Sequence, residues 1–557
     1  MRKPFSLLVA SIAAAACGGD TTSARGDAAA GGTMIVATVG DPVHLLPPLV
    51  SDFAGKSVQD LVYDKLAEVG PDLNSIGDAG FTPHLAKSWT WAPDSMSIAF
   101  AIDPRARWHD GKPVLAEDVR YAFQAFTDPK LGSPNGPGLA NIDSIQVRDS
   151  LTAVAWFRKR SPSQFYDVAY QLIPIPRHVY DSLAIDRLQT ADAARQIVGS
   201  GPFRLVKWEP NVRIEVIADT ANYRGRPKLD RVIFSVVPDA NVGLTQVLTQ
   251  QADFVETTPP DQVSSLDSSK VARALPLTSS GYTFAGFNQH APGSNSAPHP
   301  IFGDIRVRRA LSMGVDRAAM LRNVFGANGR LGRGPFPMTH AVADSTIRVP
   351  AYDTAAAMAL LDSAGWRVGP DGMRAKNGQP LRFTMLTPTT SLLRKAYAVL
   401  LQEQFRKLGA RADVDIVDNQ VFTERTTKGA FDMALTSFFT DPGAAGFSQN
   451  WGTAGIGGHG QNTLRYSNRA VDALLDSAAT SFDPAKTRAF ARRAFQQIAD
   501  DAPAIWLYDV VQVAAINRRL NPGLIRPDGW AVDMANWSVD PARRIDRDRI
   551  GLGGATP

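Results

Sequence analysis

Residues 85–123 read LAKSWTWAPDSMSIAFAIDPRARWHDGKPVLAEDVRYAF, and this stretch decides the fold class of the chain. It begins as an aromatic-rich pair of strand-like segments, since aromatic and β-branched residues favour strands. A charged turn at His109 to Gly111 follows, and a helix is predicted to begin at Ala116. Leu115 has no side-chain oxygen to cap that helix, a loss of about 1 kcal/mol that a large domain absorbs. Strands followed by a helix indicate a fold that mixes α and β structure.

The rest of the chain continues this mixture. Residues 232–237 (VIFSVV) form a β-branched run between turn residues, which predicts a strand. Asp353 caps a predicted helix that ends at Gly365, and Asp483 followed by Pro484 begins another helix. We therefore assign the chain to the α/β class (mixed α+β). Its 557 residues exceed what one hydrophobic core serves, so we expect at least two domains.

The N-terminus has the features of an export signal. Arg2 and Lys3 precede an apolar run over residues 5–16, which is too short for a bilayer span of roughly 20 residues. Cys17 is the only cysteine of the chain, and the small residues before it resemble a bacterial lipoprotein box. We predict that residues 1–17 are a signal peptide with a lipid anchor at Cys17. The alternative is an ordinary secretory signal with Cys17 incidental; both interpretations export the protein.

The composition limits the function classes that remain. Residues 18–32 contain no apolar side chain larger than alanine and are predicted to be a flexible tether. The chain is 44% hydrophobic and 20% charged, which is typical of a globular protein. Despite a net charge of +5, its basic residues are interleaved with acids, so we expect no nucleic-acid partner. No cysteine after Cys17 is left for an internal disulfide.

The sequence contains no catalytic or metal-binding motif. HExxH, GxSxG and GxxxxGK[ST] patterns are absent, no GxGxxG opens a helix after a strand, and the eight histidines are scattered. Glu117 and Asp118 are adjacent on a predicted helix and point about 100° apart, so we interpret them as solvated charges and not as an acid and base pair. We expect no enzyme activity, no cofactor and no metal site. A secreted hydrolase whose site is assembled from distant segments stays open as an alternative.

The 85–123 stretch closely resembles the signature region of family 5 extracellular solute-binding proteins, the dipeptide- and oligopeptide-binding components of ABC importers. The family pattern is met at Trp89 and over residues 108–111 and 116–119, whereas Leu115 stands where the family has Thr or Ser. Further segments resemble the family in the same order along the chain, namely residues 175–178, 199–203, 208, 222–223, 288, 304–310, 316–317 and 352–365. Because several matches occur in the right order, the resemblance is specific.

The resemblance implies a two-lobed clamp of the periplasmic-binding-protein type II class, with an extra subdomain in the first lobe. We expect residues 33–76, 198–285 and 504–547 in the first lobe, 77–197 in its subdomain, 286–503 in the second lobe and 548–557 in a flexible tail. The crossings near Ala285 and Pro503 are the expected hinge, where a few backbone torsions absorb the lobe rotation.

The same resemblance implies a function in import. A protein of this family reversibly captures a short peptide or similar solute between its lobes and delivers it to an ABC transporter permease, with closure favoured by the ligand. Binding of an oligosaccharide or another non-peptide solute on the same scaffold is one alternative, and a role in sensing or envelope assembly is another. We expect a monomer in the periplasm or another extracytoplasmic part of the envelope, held to a membrane only by its anchor. Gly18 leaves the choice of membrane open.

The resemblance also suggests ligand contacts. In the peptide binders of the family, an acid just ahead of an Asp-Pro pair holds the ligand's amino terminus, and the matching segment here is residues 436–451 (TSFFTDPGAAGFSQNW). If Asp441 belongs to that pair, the anchoring position falls on Phe438; if the loop is shorter, Asp441 is the anchor. Phe438 and Trp451 are candidates for stacking on a ligand, with core packing as the alternative. Asn288 is a candidate polar contact, with a structural role as the alternative.

Overall fold

The computed structural model describes residues 30–190, 196–294, 296–440, 442–457 and 460–553. The predicted signal peptide with its anchor Cys17 lies outside these residues, and so does the candidate ligand contact Asp441. None of the described helices has the length and the hydropathy that a membrane span requires.

Both ends of the described chain belong to the folded body, which corrects two expected boundaries. Gly31 was placed in the tether, but it is buried and its N–H donates to the carbonyl of Lys228 at 2.7 Å. Asp548 was placed in the flexible tail, but its carboxylate is fully buried and lies 2.7 Å from the guanidinium of Arg519. A buried carboxylate needs such a partner, so this ion pair fixes the end of the chain against the body.

The helices and strands follow one another as a mixture of both types. The strands are β1 Thr33–Thr38, β2 Ala67–Glu68, β3 Thr82–Pro83, β4 Ala86–Trp91, β5 Ser97–Ile102, β6 Ile142–Asp149, β7 Thr152–Phe157, β8 Phe203–Glu209, β9 Arg213–Ala218, β10 Arg231–Val236, β11 Phe254–Val255, β12 Ala272–Phe287, β13 Arg367–Val368, β14 Arg374–Lys376, β15 Gln379–Pro380, β16 Arg382–Pro388, β17 Arg411–Val417, β18 Met433–Phe439, β19 Ala504–Asn517, β20 Leu520–Asn521 and β21 Ser538–Val539.

The α-helices are α1 Phe53–Val62, α2 Ala116–Thr127, α3 Gln164–Tyr166, α4 Arg177–Tyr180, α5 Ala240–Leu248, α6 Ser265–Ser268, α7 Ile305–Met313, α8 Arg317–Phe325, α9 Thr354–Ser363, α10 Leu392–Lys407, α11 Asn419–Lys428, α12 Gly446–Trp451, α13 Arg469–Thr480 and α14 Pro484–Asp501. The predicted strand at residues 232–237 is β10, and the predicted caps Asp353 and Asp483 begin α9 and α14.

A ten-stranded mixed sheet runs through the whole molecule in the order β17-β16-β18-β12-β19-β11-β1-β10-β9-β8. Its two long strands, β12 and β19, pair in antiparallel fashion from Ala272 to Gly286. Their register shifts between Thr278 and Tyr282, where the pairing is interrupted. Such an irregularity bends a strand and increases its local twist.

The hydrophobic core changes at the same place. Leu277 of β12 belongs to the core around β1, whereas Tyr282 belongs to a separate core that also contains residues of β18. We call the half of the molecule with β1 the first lobe and the half with β18 the second lobe. Ala285, which the sequence placed at a crossing, packs inside the second lobe. On β19, residues up to Tyr508 pack in the second-lobe core, and Ala514 packs in the first-lobe core. The expected second crossing near Pro503 therefore lies further along β19.

The 85–123 stretch folds into part of a separate antiparallel sheet, β4-β5-β7-β6, with α2 packed on it. Asp118 of α2 is buried and not solvated as expected. Its carboxylate accepts hydrogen bonds from the Trp108 indole at 3.0 Å, the Leu115 N–H at 2.8 Å and the Arg177 N–H at 2.8 Å. Asp118 therefore supplies the reciprocal half of a capping box by accepting the Leu115 N–H, and burial raises its pKa.

Candidate ligand-binding site

A cavity of about 310 Å³ opens in the first lobe beside the beginning of α1. Asp52 begins this helix because its carboxylate accepts the Gly55 N–H at 2.8 Å, and residues 50–53 form one wall of the cavity. The opposite wall comes from α3 and from the π-helical turn Asp167–Gln171. We call this space the first-lobe cavity. Its lining is Pro47, Val50, Ser51, Asp52, Phe53, Lys56, Gln59, Asp60, Lys65, Phe126, Asn135, Tyr166, Tyr170, Gln171 and Ile173.

A second cavity of about 570 Å³ lies between the two lobes. Its first-lobe side is built from residues 137–171, and its second-lobe side is built from residues 443–449 at the start of α12. We call it the interlobe cavity. Tyr166 and Gln171 line both cavities, so the two spaces adjoin and form one cleft. Their volumes lie in the range of roughly 300–1,000 Å³ that is usual for ligand sites.

Charged side chains at the bottom of the first-lobe cavity are paired with one another. The Lys56 ammonium lies 2.6 Å from the Asp60 carboxylate, and the Lys65 ammonium lies 3.2 Å from Glu68 and 3.6 Å from Asp60. Burial alone lowers the pKa of Lys65, but the two carboxylates outweigh it and the net effect is a raised pKa. Burial alone raises the pKa of Glu68, but Lys65 and Arg526 outweigh it and the pKa is lowered.

The same network holds an aromatic wall in place. Arg526 is buried, lies 2.7 Å from Glu68 and also pairs with Asp528. The Tyr170 hydroxyl donates a hydrogen bond to the Asp528 carboxylate, and its ring lies under the Lys65 ammonium at 4.3 Å. These contacts fix the ring of Tyr170 at the cavity before any ligand arrives, which reduces the entropy lost on binding.

Strand β18 of the second lobe is paired with other strands along only part of one edge. On one side it pairs with β12 over its whole length, from Met433 to Phe439. On the other side it pairs with β16 only at Met433 and Ala434. Beyond Ala434, no described strand covers that second edge. Phe439 at the end of the strand is 53% exposed, and the chain continues from there into the second-lobe wall of the interlobe cavity.

The candidate residues Phe438 and Trp451 lie in the core of the second lobe. Trp451 is completely buried, and its indole N–H donates to the Tyr282 hydroxyl at 2.8 Å. Phe438 is 4% exposed and packs edge-on against Phe284 at 4.9 Å between ring centroids. Both side chains therefore have the packing role that the sequence left open as the alternative. Phe438 belongs to β18 and Trp451 to α12, so their packing stabilises the second-lobe elements beside the cleft.

Asn288 is completely buried just after β12. Its side-chain amide donates to the carbonyls of Gly429 at 3.0 Å and Phe431 at 2.8 Å, and its oxygen accepts the His290 N–H at 3.1 Å. These bonds give it the structural role named as its alternative. The anchoring role of Asp441 stays a prediction, since this residue lies outside the described chain.

Sequence reasoning missed the first-lobe wall of the cleft. Phe53, Lys56 and Tyr170 line the cavity, yet no motif marks them and they are distant in sequence. Pro47 and Asp52 were the available signals, because they predict a turn and a helix start. No three His, Cys, Asp or Glu side chains within the described ranges are grouped as a metal ion requires.

Two lobes, each with its own core, enclose a cleft whose first-lobe wall is aromatic and whose second-lobe wall is formed by residues 443–449. This arrangement defines a two-lobed solute-binding protein. The chain belongs to the bacterial extracellular solute-binding proteins, family 5, whose sequence profile matches residues 80–458. The family and the fold expected from the 85–123 stretch are thereby confirmed.

Similar proteins cover nearly the whole chain. The oligopeptide-binding protein AppA of Bacillus subtilis is 25% identical over 522 residues, which are 90% of this chain and 92% of AppA. The structure of AppA in complex with a nonapeptide has a TM-score of 0.69 at 22% identity and covers 92% of this chain and 99% of that chain.

Two further structures share the fold. The ABC transporter substrate-binding protein CtaP of Listeria monocytogenes has a TM-score of 0.78 at 20% identity and covers 92% of this chain and 100% of that chain. NikA of Brucella suis, solved in complex with Fe(III)-EDTA, has a TM-score of 0.77 at 19% identity and covers 91% of this chain and 99% of that chain.

Proposed function

We propose that this protein captures a short peptide between its lobes and delivers it to the permease of an ABC transporter. The observation that carries the proposal is the edge of β18 beyond Ala434 that no described strand pairs, in a strand followed along the chain by the second-lobe wall of the interlobe cavity. An extended peptide adds to such an edge as a further strand, and its backbone hydrogen bonds give affinity for peptides of many sequences. Pockets beside the edge then accept the ligand side chains.

Binding and lobe movement are coupled in this proposal. A ligand that touches both lobes favours the closed arrangement by the contacts it makes only there. The register shift between Thr278 and Tyr282 is where we propose that the lobes rotate, since the core changes at the same place. The ligand leaves chemically unchanged, so the protein is not an enzyme and acts by reversible capture.

The relatives support a peptide as the ligand and also suggest a second candidate. AppA is an oligopeptide-binding protein that was solved with a nonapeptide. NikA, which has the same fold, was solved with Fe(III)-EDTA. A non-peptide solute, including an oligosaccharide, is therefore the second candidate for this cleft.

A thermal unfolding screen tests the proposed ligand class. The purified protein is heated alone, with pools of dipeptides to pentapeptides, and with pools of sugars. A peptide at about a hundred times its dissociation constant adds about 2.7 kcal/mol to the free energy of unfolding, so the melting temperature rises with peptide concentration. A rise with sugars and none with any peptide pool contradicts peptide capture.

We propose that Asp441 is the acid that holds the amino terminus of the peptide. An unpaired ammonium in a closed cleft is strongly disfavoured. Asp441→Asn is then expected to weaken binding of free peptides at least about tenfold and to leave N-acetylated peptides unaffected, as measured by calorimetry. The matched control is Asp476→Asn on the exposed face of α13. Equal affinity of wild type and Asp441→Asn for free peptides contradicts the assignment.

We propose that Cys17 carries the lipid anchor. Its place after the apolar run 5–16 supports this, together with the absence of any other cysteine. The wild-type protein is expected to incorporate labelled fatty acid and to sediment with membranes, whereas Cys17→Ser incorporates none. Labelling of the Cys17→Ser protein contradicts the proposal.

A further inference from the structure

The charged side chains of the first-lobe cavity are already engaged by neighbouring groups. Lys56 pairs with Asp60 at 2.6 Å, and Lys65 lies between Asp60 and Glu68 at 3.6 and 3.2 Å. The carboxylate of Asp52 accepts the backbone N–H groups of Gly55 and Val43. A charged ligand side chain that enters here leaves water and meets a countercharge that is already shared. Such an exchange is unfavourable for the ligand.

The rest of the cavity wall combines apolar and aromatic side chains with four polar ones, Ser51, Gln59, Asn135 and Gln171. Val50, Phe126 and Ile173 present side chains that are at most 7% exposed, and all three line the cavity. The rings of Tyr166 and Tyr170 stack at 5.0 Å between centroids. A cavity of about 310 Å³ holds the volume of about ten liquid waters. An apolar group that displaces these waters gains the hydrophobic free energy of transfer.

Phe53 stands at the rim of this cavity with its ring 79% exposed, although it is the first residue of α1. Single exposed apolar side chains are common on protein surfaces, so what distinguishes Phe53 is its place beside a cavity whose buried wall includes Val50, Phe126 and Ile173. Asp52 holds the backbone beside it through the helix cap, which keeps Phe53 at the rim. The ring is therefore positioned to cover whatever enters the cavity.

We infer that the first-lobe cavity is a subsite for an apolar or aromatic side chain of the bound peptide, with Phe53 as the residue that closes over it. This inference rests on the proposed function and adds a substrate class to it, namely peptides that carry Phe, Leu or a similar residue at one position. Acidic and basic residues at that position are disfavoured, because the lysines of the cavity are already ion-paired and the Asp52 carboxylate already accepts two backbone N–H groups.

The test compares tetrapeptides that differ at a single position. Each position of tetra-alanine is replaced in turn by Phe, Leu, Asp or Lys, and the affinity for the purified protein is measured by calorimetry. At one position Phe and Leu are expected to bind at least about tenfold more tightly than Asp and Lys. Phe53→Ser is expected to remove most of that preference and to leave the affinity for tetra-alanine within about twofold.

Two controls keep the outcome interpretable. Phe53→Leu retains an apolar rim and is expected to keep most of the preference, whereas Val206→Ser removes an exposed apolar side chain of β8 and leaves the preference unchanged. Phe53 is exposed, so its replacement by Ser does not disturb the core. If tetra-alanine and its variants bind equally at every position, or if the preference persists in Phe53→Ser, the subsite is wrong while peptide capture stands. If no peptide binds, the proposed function and the subsite both fail.

Discussion

Asn288 follows β12 directly, and its side chain bonds to backbone carbonyls in the segment just before β18. It donates to the carbonyls of Gly429 and Phe431 and is completely buried. A sequence pattern identifies an Asn at this position, but it does not distinguish an amide that faces a ligand from one that bonds to neighbouring backbone. Only the tertiary contacts separate the two roles.

Replacing Asn288 by Ala is expected to destabilise the protein. The Phe431 carbonyl loses the amide donor, whereas the Gly429 carbonyl keeps the Gly293 N–H, and an unsatisfied buried group costs about 1–3 kcal/mol, so the free energy of unfolding in urea should fall by about 1–3 kcal/mol. Asn323→Ala on the exposed face of α8 is the matched control, with a change below about 0.5 kcal/mol. An Asn288→Ala protein with unchanged stability and lower ligand affinity contradicts the structural role and supports the original ligand contact.

Asp509 on β19 should make stability depend on pH. It is 2% exposed, one of its oxygens has no hydrogen-bond donor, and the other accepts the Met338 N–H at 3.0 Å. Burial raises its pKa from 3.8 to about 6, while the Met338 bond and the charges of Arg330 and Arg333 oppose the shift. Because the folded protein binds this proton more tightly, the contribution of Asp509 to stability is present below its unfolded pKa. That contribution is lost as the pH rises through about 6.

The Asp509→Asn variant tests this dependence. Between about pH 5 and about pH 8, the wild type is expected to lose about 1.4 kcal/mol relative to the variant, as measured by urea unfolding at each pH. Asp476→Asn, at an exposed site on α13, should follow the wild type at every pH. A difference between Asp509→Asn and wild type that does not change with pH contradicts the raised pKa.

At the scale of elements, β18 combines a buried face with an open edge. It pairs with β12 over its whole length, whereas its pairing with β16 ends at Ala434. The sequence suggested ligand-stacking aromatic residues in this region. A residue pattern along one strand does not show how far a neighbouring strand pairs with it. The open edge arises from the register of β16 and β18, two strands of seven residues each, so it was visible only in the structure.

Backbone methylation of the ligand tests the role of this edge. In a paired strand, alternate N–H groups point toward the partner. N-methylation of a peptide at those positions is expected to weaken binding about fivefold to tenfold, since each methyl removes one hydrogen bond and adds a clash. Methylation at the intervening positions should have little effect. Calorimetry on a series of singly methylated tetrapeptides measures the pattern, and a loss that is equal at all positions contradicts strand addition.

Helix α2 illustrates how far element prediction reaches. The sequence located its start after Leu115 and anticipated a missing cap. It did not anticipate that Asp118 accepts the Leu115 N–H and also joins Trp108 to Arg177. Local pattern predicts the helix because the helix is local. The three hydrogen bonds to the Asp118 carboxylate include one from Arg177, which is 59 positions away, so a local pattern cannot predict them.

At the scale of the whole molecule, the ordered family motifs were sufficient for the fold and for the class of protein. The positions of the lobe crossings were not, because β12 and β19 run through both lobes, and the Ser280-Gly281 pair between Leu277 and Tyr282 indicates an irregularity without showing that the core changes there. The cleft walls were likewise hidden: Phe53, Tyr170 and residues 443–449 meet only after folding.

The central claim is that this cleft holds one peptide, and the mass of the intact complex tests it most directly. The purified protein is mixed with a pool of dipeptides to pentapeptides, a pool of sugars and a metal chelate, and is measured by mass spectrometry under native conditions. The account predicts a single added mass per protein that fragments into one peptide, with Phe or Leu enriched at one position. Protein that carries a sugar or the chelate and no peptide would contradict it.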